Sequence, residues 1–405
     1  MQIKRGGLLY NRIKFSLFIV LSYMVGKTIP IPFVVRTEAQ KDLPGMVQFL
    51  TVMLGSGAED ASLFALGLQP WVASSICVQI FTTLFLRNRK DSSKERTLRM
   101  TLILMVLIAI PQAFIRANHY QYAGMFSTSV LKSLTVLSLV AGSILVIHLG
   151  GLNLRYGIGG PSLLIAHNVV HQLLNTMVMT VQDAFSLVDP SAISMALFAA
   201  TFEILLIMVV SFIFESAEIH IPLHRSIIET DMKDKDYLAV RLSPVGAMPA
   251  MYAMSLLSIP FYLLSFLRLT GPAAVWQQVL LLDSPLTLAG FLVFLFALTL
   301  VLAWTEVNPS DISEDLMKQN DYILDVAPGK ATKRRIRYAV FFTASLSGFV
   351  MVMIIGIPMM VRLARHDTSP LYMLPTTIMI LVGIAIQILR EIRVLHEVED
   401  YHSFL

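Results

Sequence analysis

Ten long apolar stretches, each close to the length that crosses a bilayer, occupy most of this 405-residue chain. A hydrocarbon core of roughly 30 Å takes about 20 helical residues. Spans are read at about 13–32, 62–86, 100–115, 130–149, 161–181, 193–214, 245–267, 286–305, 338–360 and 373–389. With 56% hydrophobic and 14% charged residues, the chain holds more apolar surface than the core of a soluble domain could bury, so lipid is its solvent. Pro70, Pro161, Pro249 and Pro260 fall in the second, fifth and seventh spans, which are therefore expected to be broken. Broken spans in lipid line a cavity or lean on neighbouring helices, and so hint at a pathway.

Charge sets the orientation. With the N-terminus inside, 23 of the 31 Lys and Arg residues fall in alternate, inner segments: before the first span, at 87–99, at Arg155, at 225–241, at 318–337 and in the tail. That asymmetry predicts both termini cytoplasmic. The first apolar run lacks a small-residue cleavage site and is read as a retained span rather than a secretion signal. Cys77 is the single cysteine, so an internal disulfide or a thiolate metal cluster is impossible. The net charge of +4 is explained by the inner loops and does not call for nucleic acid.

Segment 62–81, SLFALGLQPWVASSICVQIF, resembles the second transmembrane segment of the SecY/Sec61 protein-translocation channel family. LSPVGAMPAMYAMSLL at 242–257 resembles that family's seventh span, and NPSDISEDLMKQNDYILDVAPGKAT at 308–332 its loop between spans eight and nine. GIGGPSLLI at 157–165 resembles the start of its fifth span and LPTTIMILVGIAIQ at 374–387 its tenth. The likeness covers nearly the whole chain.

The resemblance implies an all-α membrane protein of ten helices in two pseudo-symmetric halves, residues 1–190 and 191–405, opening sideways between spans two and three and spans seven and eight. No internal repeat is visible in the sequence itself. The implied function is a passive channel for exported polypeptides, closed by a ring of apolar side chains that hydrated ions enter only at high cost. Carried over by position, the ring is Val72, Ile76, Ile165, Met251 and Ile380. Val72 and Ile76 are four apart and share a helix face. For the fifth span either Ile165 or Pro161 stands at the ring, because this chain is one residue short before its serine. Residues 43–58 are implied to form a short plug helix presenting Met46, Phe49, Leu50, Met53 and Leu54, with Gly55-Ser56-Gly57 as its pivot.

No G-x-x-x-x-G-K-[ST] phosphate cradle appears, so the driving force must come from a partner. By resemblance the inner loops at about 215–243 and 307–337 dock a SecA-type ATPase motor, through Lys318, Lys330, Lys333, Arg334, Arg335, His220 and Arg225. Further implied partners are small SecE-like and SecG-like or accessory membrane subunits, the secreted preprotein and the lipid bilayer of a bacterial plasma membrane; no cofactor and no metal are implied. The chain departs from general SecY channels at Ala327 and at Glu218, Ile219 and His220, where arginines are usual. Losing cations from a docking surface changes which partner it accepts. The likeness is therefore greatest to the accessory SecY of Gram-positive bacteria, which implies its own motor and serine-rich glycosylated adhesins as cargo, with a general SecY as the alternative. A secondary transporter using Glu203, His148, His167 and His171 is the rival from physics alone. No H-E-x-x-H or G-x-S-x-G motif marks an intramembrane enzyme.

Overall fold

The structure, a computed structural model, describes residues 7–35, 61–85, 94–123, 126–185, 190–224, 237–324, 326–365 and 370–404. Each of the ten sequence spans falls on one helix: α1 Gly7–Thr28, α2 Gln69–Phe85, α3 Lys94–His119, α4 Thr128–Tyr156, α5 Gly160–Phe185, α6 Pro190–Ser216, α7 Met248–Phe266, α9 Pro285–Glu306, α11 Lys330–Arg365 and α12 Leu374–Phe404. Two shorter helices, α8 Thr270–Leu281 and α10 Pro309–Lys318, lie between them. Among the described residues, five segments, including Thr128–Tyr156 and Lys330–Arg365, suffice to cross a bilayer on length and composition alone.

The expectation of broken spans is corrected at three of four prolines. Pro70, Pro161 and Pro249 are each the second residue of their helix. There the missing N–H costs nothing and the fixed φ suits a helix start. Only Pro260 lies inside its helix, as do Pro111 of α3 and Pro358 of α11.

α2 holds 17 residues, about 26 Å of rise, short of the roughly 30 Å hydrocarbon thickness. Residues 62–68, expected as helix, instead form a run of turns, with Ala65, Leu66 and Leu68 at most 1% exposed. Non-helical backbone is tolerated at such depth only when protein satisfies its polar groups. Here Ile31 N donates to Ala61 O (2.7 Å), Leu63 N to Ile29 O (2.9 Å), and the Arg116 guanidinium to Ala65 O (2.8 Å).

The largest apolar cluster draws on α1 to α5, α7 to α9, α11 and α12, including Tyr23, Ile76, Leu164, Met254, Phe291 and Met351, with smaller clusters beside it. Lipid is as apolar as these side chains, so close packing rather than water exclusion holds the helices together. The outward faces agree: Leu17, Phe18 and Leu21 of α1 and Phe198, Phe202 and Leu206 of α6 are exposed.

Beyond the helix ends the chain builds a second layer. β3 Glu218–His224 lies between β4 Tyr237–Arg241 and β5 Tyr322–Ile323 in an antiparallel sheet ordered β4-β3-β5. Its registers include Ile219 opposite Val240 and Leu223 opposite Ile323. A two-residue pair, β1 Val34–Val35 with β2 Gln121–Tyr122, ties the end of α1 to the end of α3.

Gly142 of α4 lies against the backbone of the 62–68 turn, where an added Cβ would overlap the carbonyl oxygen of Leu63. Backbone cannot give way as a side chain can, so Gly142→Ala should destabilise the protein by about 2 kcal/mol or more. A lowered thermal midpoint of the detergent-purified chain is the expected result.

Candidate functional site

Four of these helices converge on one buried core. Val72 and Ile76 come from α2, Ile165 from α5, Met251 from α7 and Ile380 from α12, and all five belong to the central cluster at 0–6% exposure. Ile165, Met251 and Ile380 also line a cavity of about 180 Å³ that opens toward the strand-bearing end of the bundle. Val72 and Ile76 lie in the cluster but outside that cavity wall. Pro161 does not join them: it packs in the first turn of α5 against Gly150 of α4. The plug residues Met46, Phe49, Leu50, Met53 and Leu54 lie outside the described residues, as does Arg225.

The start of α5 is fixed by side chains because the preceding turn leaves backbone groups unpaired. Asn153 Nδ2 donates to Ile158 O (2.7 Å) and Gly160 O (2.9 Å), the Ser16 hydroxyl accepts from Ile158 N (2.8 Å), and Glu391 accepts from Gly159 N (2.8 Å). Gly159 and Gly160 take φ of 76° and 48°, which favours glycine. One turn later Ser162 and Ile165 face the cavity.

At the other end of the cavity the wall turns polar, with Glu215, Arg241, Ser243, Glu306, Gln387 and Arg390. Glu215 ends α6, just past the apolar run 193–214, and is 6% exposed. Burial pushes its carboxyl up to about 7, against the opposing pull of Arg390 and then Arg241. Arg390 Nη2 donates to the Glu215 backbone carbonyl (3.2 Å) and lies 3.7 Å from the Glu218 carboxylate.

A seam runs where α2 and α3 meet α7 and α9. Gln69 Nε2 donates to Tyr262 Oη (3.3 Å), Gln79 Nε2 to Thr305 Oγ1 (3.0 Å), and the rings of Phe114 and Phe266 meet edge to face at 5.2 Å. These few polar links join otherwise apolar surfaces.

The charged candidates gather on the sheet-bearing layer. Lys330, Lys333, Arg334 and Arg335 occupy the first turns of α11, and Lys318 ends α10, where it meets Asp315 at 3.2 Å. His220 stacks on Tyr237 with ring centroids 3.8 Å apart, and His224 lies 5.0 Å from Tyr322. The sheet itself escaped the sequence reading. Its signal is the strict alternation Glu-Ile-His-Ile-Pro-Leu-His at 218–224, which turns Ile221 and Leu223 onto Val240, Leu316, Ile323, Ile336 and Val340 and leaves the histidines outward.

The transporter candidates are not brought together. His148 of α4 and Glu203 of α6 are exposed, His171 contacts Asn175 (3.3 Å), and His167 packs edge to face on Tyr23 at 6.0 Å. Among the described residues no group of three metal-ligating side chains forms.

The model of the SecY family matches residues 62–389. The accessory Sec system protein translocase subunit SecY2 of Streptococcus sanguinis is 29% identical over 399 residues, 96% of each chain. Its counterpart in Streptococcus gordonii is 27% identical, covering 98% of each. Among solved structures, a protein-conducting channel superposes with TM-score 0.69 at 16% identity over 98% of this chain and 95% of that one. Sec61 of the canine ribosome-channel complex gives 0.64 at 16% identity, with 98% and 95% covered.

Because Asn153 carries two of the bonds that set the start of α5, Asn153→Ala should leave the Ile158 carbonyl unpaired and remove the second bond to Gly160, whose carbonyl keeps its helical partner, at about 2 kcal/mol. Thermal denaturation should detect the loss, and Ser16→Ala should cost less when measured alongside.

Proposed function

The chain belongs to the SecY family, and from that premise we propose that it is the pore-forming subunit of an accessory Sec-type translocase. It is a multi-pass membrane protein, and the family is one of protein-conducting channels rather than enzymes. In our reading the channel conducts unfolded polypeptide across a bacterial plasma membrane, with both termini cytoplasmic, and serine-rich glycosylated adhesins are its cargo. The carrying observation is that Val72, Ile76, Ile165, Met251 and Ile380, from four different helices, meet in one buried apolar cluster beside a polar-mouthed cavity.

Such a ring works because a dry, narrow constriction strips the hydration shell from any ion that enters it. A passing polypeptide restores the seal by filling the gap with its own side chains. The segment 43–58 acts as the plug against the outer side of the ring. The seam of α2 and α3 with α7 and α9 acts as the lateral gate. Its sparse hydrogen bonds, each worth about 1 kcal/mol, can be replaced by contacts with an inserting apolar segment.

Work enters from outside the chain. The layer of β3, β4, β5 and α10 is stiffened by its own apolar core, and it presents Lys318, Lys330, Lys333, Arg334, Arg335 and His220 as the docking face for a SecA-type motor. Arg225 is part of the same docking proposal. Small SecE-like and SecG-like or accessory membrane subunits brace the lipid-exposed helix faces. Missing arginines at Ala327 and at 218–220 restrict docking to a dedicated motor, since lost charge pairs lower the affinity of a general one.

Two measurements check this reading. In vesicles carrying the purified channel, Ile76→Gly with Ile380→Gly should raise ion leakage at least several-fold, and unchanged conductance would remove the ring assignment. Replacing Arg334 and Arg335 by glutamate should cut motor-driven transport by tenfold or more and weaken with rising salt, while leaving that leak unaltered.

A further inference from the structure

Glu215 is the most deeply buried acidic side chain among the described residues, and its carboxyl lies against the backbone of two glycines, with Arg390 and Arg241 near enough to act on it by charge. A Cβ built on Gly246 would meet Glu215 Oε2 at 3.2 Å, and one on Gly383 would meet Oε1 at 3.6 Å. Oε1 has no hydrogen-bond partner. Gly246, at φ 65°, closes the turn before α7, and Gly383 lies within α12.

Both contacts sit about one helical turn from the apolar collar. Met251 follows Ala247, the residue that caps α7, by four positions; Ile380 precedes Gly383 by three. A change in how the carboxyl seats therefore moves the helix ends that carry these two side chains.

We propose that Glu215 is a positioning residue of the seal: its buried carboxyl, wedged between Gly246 and Gly383, holds the start of α7 against α12 and so sets how closely Met251 and Ile380 meet. This rests on the reading of those side chains as the ring.

The carboxyl does this in its neutral form. A dry pocket tolerates COOH far better than COO⁻, which is why burial lifts this group to about 7 although Arg390 and Arg241 oppose the shift. The charged groups around it are Arg390 and Arg393 on α12, Arg241 on β4, Glu218 on β3 and Glu306 on α9; α5 offers the cavity only Ser162 and Ile165. Arg390 is committed to the Glu215 carbonyl oxygen and to Glu218, so it does not close on the carboxylate. The sign follows from linkage. The packed arrangement binds the proton more tightly than a hydrated carboxyl does, so acid favours it. Between the ordinary carboxyl value of 4.5 and about 7, each pH unit lowers the ratio of packed to hydrated arrangement by up to tenfold, and above that window the ratio levels off.

The test is ion leakage from vesicles holding the whole chain, at equal pH on both sides, from pH 4.5 to about 8. The native chain should leak several-fold more at the alkaline end, and Glu215→Gln, isosteric and permanently neutral, should hold the acid-side value throughout. A flat native profile, which needs no variant, overturns the proposal, and so does a Glu215→Gln profile that follows the native one. Ile380→Gly in the same vesicles separates the two levels of argument. If it leaks strongly while Glu215→Gln tracks the native chain, only the role of Glu215 fails; if it leaks no more than the native chain, the ring reading fails as well.

Discussion

A backbone amide in hydrocarbon has no water to bond, and every part of this architecture answers to that constraint. Helices meet it within themselves, which is why ten apolar stretches become ten helices. The harder places are the irregular ones. At 61–68 the partners are Ile29, Ile31 and Arg116; at 157–160 they are Ser16, Asn153 and Glu391. Arg116 comes from α3, Ser16 from α1 and Glu391 from α12, so each turn works as a clamp between elements. Removing one partner therefore costs twice, in an orphaned polar group and in a loosened helix contact.

The spans were legible because length and hydropathy are local properties that lipid enforces without reference to neighbours. The prolines were misread because a proline is ambiguous: it breaks a helix from inside but favours its first turn, and only the register of the helix start tells which. Residues 62–68 are as apolar as a helix, and only the contacts with α1 and Arg116 make them a turn. The sheet was missed for another reason. Its alternation at 218–224 is short and bordered by charges, and its core is completed by Leu316, Ile336 and Val340, roughly a hundred residues on. The five collar residues could not be found by pattern, since apolar side chains in an apolar helix carry no local mark; their place came from family likeness, and their convergence is a property of packing.

Two kinds of cohesion meet at the cavity mouth. Within the bundle, helices associate by shape, with Gly348 against Phe296 and Gly356 against Leu292 letting α11 approach α9 closely. In the sheet-bearing layer the hydrophobic effect operates, and burying Ile221, Leu223 and Ile323 contributes about 1.5–3 kcal/mol each. The layer that water stabilises can therefore stay rigid while the layer that lipid solvates rearranges, since the second gains little from any one packing over another.

That division has a mechanical consequence. Force applied to the sheet reaches the bundle through short covalent joints: β3 continues from α6 with Ala217 alone between them, and β4 leads into α7 through residues 242–247. β3 is also paired along its length with β4, so the ends of α6 and α7 move together with the sheet. Glu215, in the last turn of α6, sits at that junction with its carboxyl buried against the Gly246 turn. Rigid strands transmit displacement without absorbing it, so the compliance of the path is concentrated at the Gly246 turn. A push on the sheet is thereby delivered to the start of α7, one turn from Met251, rather than spread through the bundle.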